Sequence, residues 1–507
     1  MFMFKTFAAA STLIIGVCTS AVCAQSATPE ITEKPAAKTD MRAPRDWSAT
    51  LIADAQSLRD TVIDSHPGAY DKLNPQFRAH VEQGLADANA RAAQTKDAGG
   101  WWWALRAYIA SFDDGHVQIG YYDTSFAFPT KWPGFLTGYN GSNQIVAVRD
   151  ESDPATPPVG ARLVACDGET ADVLAQRRIG TFRGRWFLES QRVTYGSLLF
   201  VDIQNPYLTP QRSCQFDNGG QVTTYNLNWR SIDDTMLGKY RQAMAQTSHD
   251  DFGRHAVAGG GVWVSMPDFE GDPDSNAYKH LTPLIAQMNT DQMALRNASF
   301  IVLDLRGNGG GSSVWSEHIA RTLWGDAWIA AHRPAAVQAI DWRASDGNIA
   351  NMQAYIDTAQ KVGGDKEMEA WAQPVITGMK AAKAAGQPYW HQGNDRPEAP
   401  RDMSAVNPMH GKVYVITDPI CASACLDAVD LWKALGAVQI GRETSADTDY
   451  MEVRSEILTS GLAGIAVPTK VWRGRAPGSN VPQRPDHLFD GNMADEAALL
   501  TWLQTLK

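Results

Sequence analysis

Two stretches of this sequence pair a buried-strand pattern with a turn whose residues can handle negative charge. The first is Ser299-Phe-Ile-Val-Leu-Asp-Leu-Arg-Gly-Asn-Gly-Gly-Gly-Ser-Ser, where an apolar run ends at Asp304 and Leu305 and three glycines open a helical pattern through Leu323. Glycine permits positive φ and close backbone approach, so the N–H groups of Gly309, Gly310 and Gly311 can converge on an anion at a helix N-terminus. Phosphate and oxyanion fit that description equally. A phosphate loop needs Gly-Lys-Ser/Thr, however, and a dinucleotide fingerprint needs a third glycine where Ser312 stands. Both nucleotide readings fail on residues, leaving an oxyanion hole or a structural turn.

The second stretch is Lys412-Val-Tyr-Val-Ile-Thr-Asp-Pro-Ile-Cys-Ala-Ser-Ala-Cys-Leu-Asp-Ala-Val-Asp-Leu-Trp, with a strand ending near Thr417 and helical spacing of Leu426, Val429, Trp432 and Leu435. Ser423 falls at the helix start, where a serine serves as an N-cap or, between small Ala422 and Ala424, stands open to substrate as a nucleophile. The motif is not Gly-x-Ser-x-Gly, so a hydrolase elbow of that type is not indicated. A hydroxyl nucleophile needs a base. Among eleven histidines, His116 in Ser111-Phe-Asp-Asp-Gly-His-Val-Gln-Ile-Gly is the first candidate and His66, beside Pro67, the second. Taken alone, an Asp-Asp-Gly-His turn also suits a solvated surface histidine.

Elements of several kinds must position these groups. From Trp47 to Ile109 the apolar residues recur at helical spacing, with His66-Pro67-Gly68 breaking the run, so residues 46–125 read as a small helical domain. Its Trp101-Trp102-Trp103 run reads as core packing. Residues 126–235 carry strand-like runs at Gln144–Val148, Arg162–Cys166 and Val222–Leu227 between turn clusters, which predicts a β-rich module. Residues 331–404 are rich in Ala, Lys and Gln around Met352–Tyr355 and Glu367–Lys383, which predicts an inserted helical pair, either a lid or a solvated insertion.

At 507 residues the chain is long enough for two to four domains, and 44% hydrophobic with 20% charged residues is ordinary for a globular protein. A net charge of −11 leaves no broad positive field for phosphates, so nucleic acid is not an expected partner. Lys5, the apolar stretch Phe7 to Val17 and Val22-Cys23-Ala24 before Gln25 read as an export signal over 1–24, too short to span a bilayer. Residues 25–45, with Pro29, Pro35 and Pro44, read as a linker. The expected location is periplasmic or secreted, without stable membrane insertion. Of six cysteines, four remain after the signal and allow three pairings; in an oxidising medium Cys166–Cys214 and Cys421–Cys425 are plausible bridges, although two thiols four apart on a regular helix need distortion, and all four also suit small buried apolar positions. No Cys-x-x-Cys or His-Glu-x-x-His spacing calls for zinc.

Together these residues resemble the tail-specific, or C-terminal processing, serine peptidases and their tricorn-like and retinoid-binding-protein-like relatives. Leu303-Asp-Leu-Arg-Gly-Asn-Gly-Gly-Gly looks like the family's signature, and Val413-Tyr-Val-Ile-Thr-Asp followed by Ala422-Ser423-Ala424 looks like its nucleophile segment. Gly441-Arg-Glu-Thr-Ser, Leu458-Thr-Ser-Gly-Leu and Pro485-Asp486 resemble weaker downstream markers; Asp113-Asp-Gly-His116 resembles the Asp-x-His segment of members that use histidine. Val159-Gly-Ala-Arg-Leu-Val-Ala-Cys-Asp-Gly168 is similar to the carboxylate-loop end of a PDZ-like domain.

The resemblance implies an α/β fold with a crotonase-like (ClpP-like) core in 236–330 and 405–507, beside the helical domain, a PDZ-like β-rich module in 126–235 and the insertion 331–404. It implies a serine-type endopeptidase acting on peptide or protein substrate, with no metal or organic cofactor. One branch of the family uses a Ser-Lys dyad, but Glu443-Thr-Ser-Ala-Asp-Thr-Asp-Tyr450 has no lysine where that branch places one, and Lys433 and Lys470 sit in other segments. The implied site is therefore Ser423 as nucleophile and His116 as base, Asp486 as the third member with Glu443 as its alternative, and an oxyanion hole from Ala424 with Gly309 or Gly310. A non-catalytic peptide- or ligand-binding protein on the same scaffold and a serine esterase are the rival expectations.

Overall fold

The structure is a computed structural model that describes residues 40–244, 251–272, 274–334, 339–361, 366–393, 401–476 and 478–506. The expected export signal and the linker as far as residue 39 lie outside the described residues.

Three helices come first: α1 (Trp47–Ser65), α2 (Phe77–Ala92) and α3 (Ala98–Ala110). Asp46 and Asp97 cap α1 and α3 by accepting from the N–H groups of Ala49 and Gly100. Pro67 biases the preceding residue to extended backbone, and α1 stops at Ser65 with His66 at φ −74°, ψ 126°. Trp101 and Trp103 are buried while Trp102 is half-buried. A strand, β1 (Gln118–Tyr121), follows.

The β-rich module contains β2 (Phe135–Tyr139), β3 (Gln144–Arg149) and β4 (Arg162–Cys166), then a helical run from α4 (Ala171–Ala175) to Arg183, then β5 (Ser213–Asn218) and β6 (Gln221–Asn226). Its antiparallel sheet runs β2-β3-β4-β5-β6, and a disulfide joins the directly paired Cys166 and Cys214. Helix α5 (Asp234–Met244) packs Leu237 beside Trp132 and Leu136.

The centre of the molecule is a six-stranded sheet. It is built from β7 (Gly253–Val257), β8 (Gly261–Ser265), β9 (Phe300–Asp304), β12 (Lys412–Thr417), β13 (Val438–Gly441) and β16 (His487–Leu488), in that spatial order. Only the β7–β8 pair is antiparallel. Strands covered on both faces must be apolar throughout, and the pleat sends alternate residues to opposite cores. Ile301, Leu303, Val413 and Val415 face α6 (Asn276–Thr290), α7 (Val314–His332) and α10 (Ala424–Ala434). Val302, Tyr414 and Ile416 face Phe489, Met493 and the closing helix α11 (Glu496–Leu503).

The inserted segment is more than a helical pair. Helices α8 (Asp346–Lys361) and α9 (Lys366–Ala384) are flanked by β10 (Ala339–Arg343) and β11 (Tyr389–Gly393). These strands extend an antiparallel sheet, order β1-β15-β10-β11, with β14 (Tyr450–Ile457) also on β15 (Ala463–Arg473). Strand β1 pairs with β15 across more than 300 residues, and Leu458, Leu462, Ile465 and Val467 share one core with α1–α3. The helical domain is thereby packed onto the sheet that follows the nucleophile segment. No helix among the described residues is long and apolar enough to cross a membrane.

Candidate active site

Strand β12 delivers the chain to a turn held from below by Asp418. Its carboxylate accepts from the Gly307 N–H at 2.7 Å and the Ile420 N–H at 2.9 Å, and burial pushes this carboxyl up to about 7. At the top of the turn Ser423 has φ 53° and ψ −124°, a sparsely populated conformation for a residue with a side chain. Its hydroxyl makes no capping bond to α10 and has no hydrogen-bond partner among the described residues. The N-cap alternative for Ser423 is thus not what the backbone shows, because positive φ directs the side chain away from the helix's free N–H groups. The Ser423 N–H itself is held by Asp447 Oδ2 at 3.1 Å.

A disulfide, Cys421–Cys425, closes a five-residue ring around Ser423. Cys421 lies ahead of the helix, which starts at Ala424, so the two Cα atoms come within 5.3 Å without distorting helical turns. Both cysteines are fully buried.

The glycine turn after β9 packs against this nucleophile turn. Asp304 and Arg306 form a buried ion pair under it, and Trp263 Nε1 donates to Asp304 Oδ2. Asn308 links the ends of β8 and β9: its Nδ2 donates to Met266 O at 2.8 Å and its Oδ1 accepts from Gly310 N at 2.9 Å. Gly310 has φ +104°, and a Cβ there would lie 2.7 Å from Ser423 Cβ and 3.1 Å from Ala424 N. Contact this close requires glycine. Because its N–H is already committed to Asn308, Gly310 is not an open donor. Gly309 is exposed, and neither its N–H nor that of Ala424 has a partner among the described residues.

His116 closes the turn after α3. Its backbone N–H donates to Asp114 Oδ1 at 2.8 Å, and its Nδ1 lies 3.7 Å from the same oxygen, buried and without a hydrogen bond. The other oxygen, Asp114 Oδ2, lies 3.4 Å from His66 Nε2. His66 Nδ1 accepts from Gly68 N, which places the proton of the neutral ring on Nε2, facing the carboxylate. Burial would raise the Asp114 carboxyl, but the His66 hydrogen bond and the two imidazoles outweigh it and hold the group below its ordinary value. Burial pushes His66 below its own ordinary value, against the pull of Asp114.

Two bridges tie this histidine turn to the nucleophile turn. Asn480 Nδ2 donates to Asp113 O at 2.8 Å, while Asn480 N donates to the O of Asp447, whose carboxylate holds Ser423 N. Arg185 N donates to Asp113 Oδ1 and Arg185 Nη1 to Ala446 O at 2.6 Å. No hydrogen bond joins Ser423 Oγ to the His116 ring.

Other residues singled out from the sequence are engaged elsewhere. Asp486 is exposed; its Oδ2 accepts from Gln439 N at 2.9 Å and lies 3.8 Å from Lys433 Nζ, so it belongs to the β13–β16 junction and has no contact with His116. Glu443 binds Arg484. Lys470 is buried against Glu452 at 3.2 Å with its ammonium 4.8 Å from the centre of the Trp342 ring, and Lys433 donates to Gln439. The acid beside His116 is Asp114, two residues before it in the Asp-x-His segment. Asp447 and Asn480 are not among the sequence candidates, since neither carries a motif of its own.

Strained serine, glycine turn and histidine turn are mounted on a mostly parallel sheet with helices on both faces, an α/β scaffold. A model described as peptidase family S41 matches residues 262–476, which contain both the glycine turn and Ser423. That stretch of the chain is thus similar to peptidase family S41. Its overall architecture is similar to mature CPAF, at 12% identity over 91% of this chain and 97% of that one, with a TM-score of 0.58. Mature CPAF complexed with lactacystin aligns with a TM-score of 0.57, again at 12% identity, covering 91% and 98% of the two chains. No curated protein matches the sequence.

Proposed function

We propose that the protein is an exported serine endopeptidase in which Ser423 attacks the peptide carbonyl and His116 is the base. The observation that carries this reading is Ser423 itself, an unbonded hydroxyl on a positive-φ turn braced by Asp447 and by a disulfide, and tied through Asn480 to the turn that bears His116. Strain of this kind costs on the order of 1–3 kcal/mol and persists only where the surroundings enforce it. A capping serine needs none of it.

In the proposed mechanism, substrate binding completes the Ser423–His116 hydrogen bond, since catalytic contacts often tighten only in the complex. His116 takes the Ser423 proton as Oγ bonds to the carbonyl carbon, and the resulting oxyanion is held by the N–H groups of Gly309 and Ala424 at the start of α10. Asp114, kept ionised, stabilises the imidazolium that forms. Collapse of the tetrahedral intermediate transfers the proton from His116 to the leaving amine, and water then hydrolyses the acyl-enzyme by the same route in reverse. The central sheet with α7 and α10 would be a crotonase-like core, and residues 126–235 a PDZ-like module. Export is supported by two disulfides, which persist in oxidising compartments.

The test is a fluorophosphonate probe together with peptide hydrolysis by the purified protein. Wild type should label and cleave; Ser423→Ala should do neither while keeping its melting temperature, because no cap bond is lost. Absence of labelling in folded wild type would favour a binding protein on the peptidase scaffold, and turnover of esters but not peptides a serine esterase.

A further inference from the structure

The α3 face of the helical domain meets the helical run of the β-rich module around a small cavity lined by Trp103, Arg178, Arg183, Asp202 and Asn205 among others. Its polar lining is almost all donor. Trp103, Arg178 and Asn205 are each more than nine-tenths buried, and Trp103 Nε1, Arg178 Nε and Asn205 Nδ2 have no hydrogen-bond partner among the described residues. The remaining acceptor of the amide, Asn205 Oδ1, already takes the Tyr207 N–H. Arg178 spends one nitrogen on Thr209 O. The Arg183 guanidinium lies over the Trp103 and Tyr195 rings and makes no hydrogen bond among the described residues.

More positive charge stands directly behind. Arg106 donates to Phe182 O, and its Nε is buried without a partner; burial and the neighbouring Arg183 both push its guanidinium downward from its ordinary value. Arg241, on α5, has a buried Nε with no partner among the described residues and also feels the repulsion of Arg183. Arginine does not escape such a setting by losing its proton. Against four guanidinium groups stand two carboxylates: Asp202, which already accepts from Gln204 N, and Asp234, near Arg241. Glu169 acts on Arg178 only weakly and is held bidentately by Arg177. Buried charges are stable only when paired, and a polar wall in which donors outnumber the single lining carboxylate, Asp202, matches a ligand that accepts hydrogen bonds.

We propose that this cavity binds a small oxyanion, a phosphate or a carboxylate group, through Arg178, Arg183, Asn205 and Trp103. Bound there, it neutralises the arginine cluster and fastens the β-rich module to α3. Planar guanidinium groups suit such oxyanions because they offer paired N–H donors in the ligand's own geometry. None of the four is a residue proposed to carry the serine chemistry, although Arg185, two residues beyond Arg183, bridges the histidine and nucleophile turns.

The experiment is thermal unfolding and calorimetric titration of the full chain with inorganic phosphate and, separately, acetate, each against sodium chloride at matched ionic strength. Phosphate or acetate at about 100 times its dissociation constant should raise the melting temperature by about 2.5 °C. Which of the two does so identifies the oxyanion. Arg183→Met should abolish the shift. Asn205→Asp retains the acceptor for Tyr207 N–H and puts a negative charge among the arginines, so it should raise the melting temperature without added anion and remove the response to it. No shift beyond the chloride control overturns the proposal, as does a shift undiminished in Asn205→Asp, which decides the matter even where Arg183→Met does not fold.

Discussion

Alanine at Gly310 and alanine at Gly309 should behave differently although the two glycines are neighbours in one turn. A methyl group at Gly310 would sit 2.6 Å from Ala422 O, 2.7 Å from Ser423 Cβ and 3.1 Å from Ala424 N, so the nucleophile turn must retreat to near 3.4 Å or beyond. That is a displacement of about 0.7 Å or more, and misplacement of about 1 Å at a reacting group costs on the order of 10²-fold in rate. The φ of +104° adds on the order of 1–3 kcal/mol of backbone strain for alanine. At Gly309 nothing lies within 4 Å of the added Cβ, no positive φ is involved, and the N–H proposed to hold the oxyanion is retained. Gly309→Ala should therefore stay within about 0.5 kcal/mol of wild-type stability and within a few-fold of its rate. The assay is peptide hydrolysis per folded molecule, with the folded fraction from circular dichroism and stability from urea titration. Gly310→Ala with wild-type turnover, or equal losses in both variants, would refute the assigned contact between the glycine turn and Ser423.

Asp486→Asn should leave turnover unchanged and Asp114→Asn should lower kcat, since only Asp114 adjoins the His116 ring; steady-state kinetics on the two variants checks this. Lys470→Met leaves Glu452 buried and unpaired, so it should cost about 3–5 kcal/mol in chemical denaturation while the rate per folded molecule persists, because Lys470 is not the base. His66 is held below its ordinary 6.5 by burial; its contribution to stability is complete above about 6.5 and is lost as pH falls through its lower folded value. The difference in melting temperature between wild type and His66→Gln should accordingly shrink as the buffer is taken from pH 7 to pH 4. Replacing both Cys421 and Cys425 by alanine opens the five-residue ring. It should cost about 2 kcal/mol on the chain-entropy estimate and slow fluorophosphonate labelling of the folded protein at least tenfold; an unchanged labelling rate would show that Asp447 holds Ser423 unaided.

Local features were legible in the residues because their causes are local. Apolar runs of five or six residues ending in Gly-rich or Ser-containing turns mark β9 and β12, since a strand buried on both faces has no polar alternation to show. The same locality makes Ser423 stand out between two alanines, and Pro67 ends α1 through its steric demand on His66. Even the 421–425 bridge was readable, apart from the objection that assumed a helix running through it.

Tertiary structure alone decided what surrounds the serine. Pairing of β1 with β15 and the core shared by α1–α3 and Leu458–Val467 bring the His116 turn to the segment after α10, and Asn480 reaches Asp113 across 367 positions of sequence. The identity of the acid at His116 followed from that packing, because Asp486, near the end of the chain and matched by motif, is drawn to Gln439 by the pairing of β13 with β16. Gly309 and Gly310 differ through one side chain: Asn308 occupies the Gly310 N–H, and no spacing rule encodes which way an amide will point. Sequence specifies the chemical groups and their local turns, whereas which of them meet depends on contacts between segments hundreds of residues apart, whose closure entropy is repaid only by the whole core.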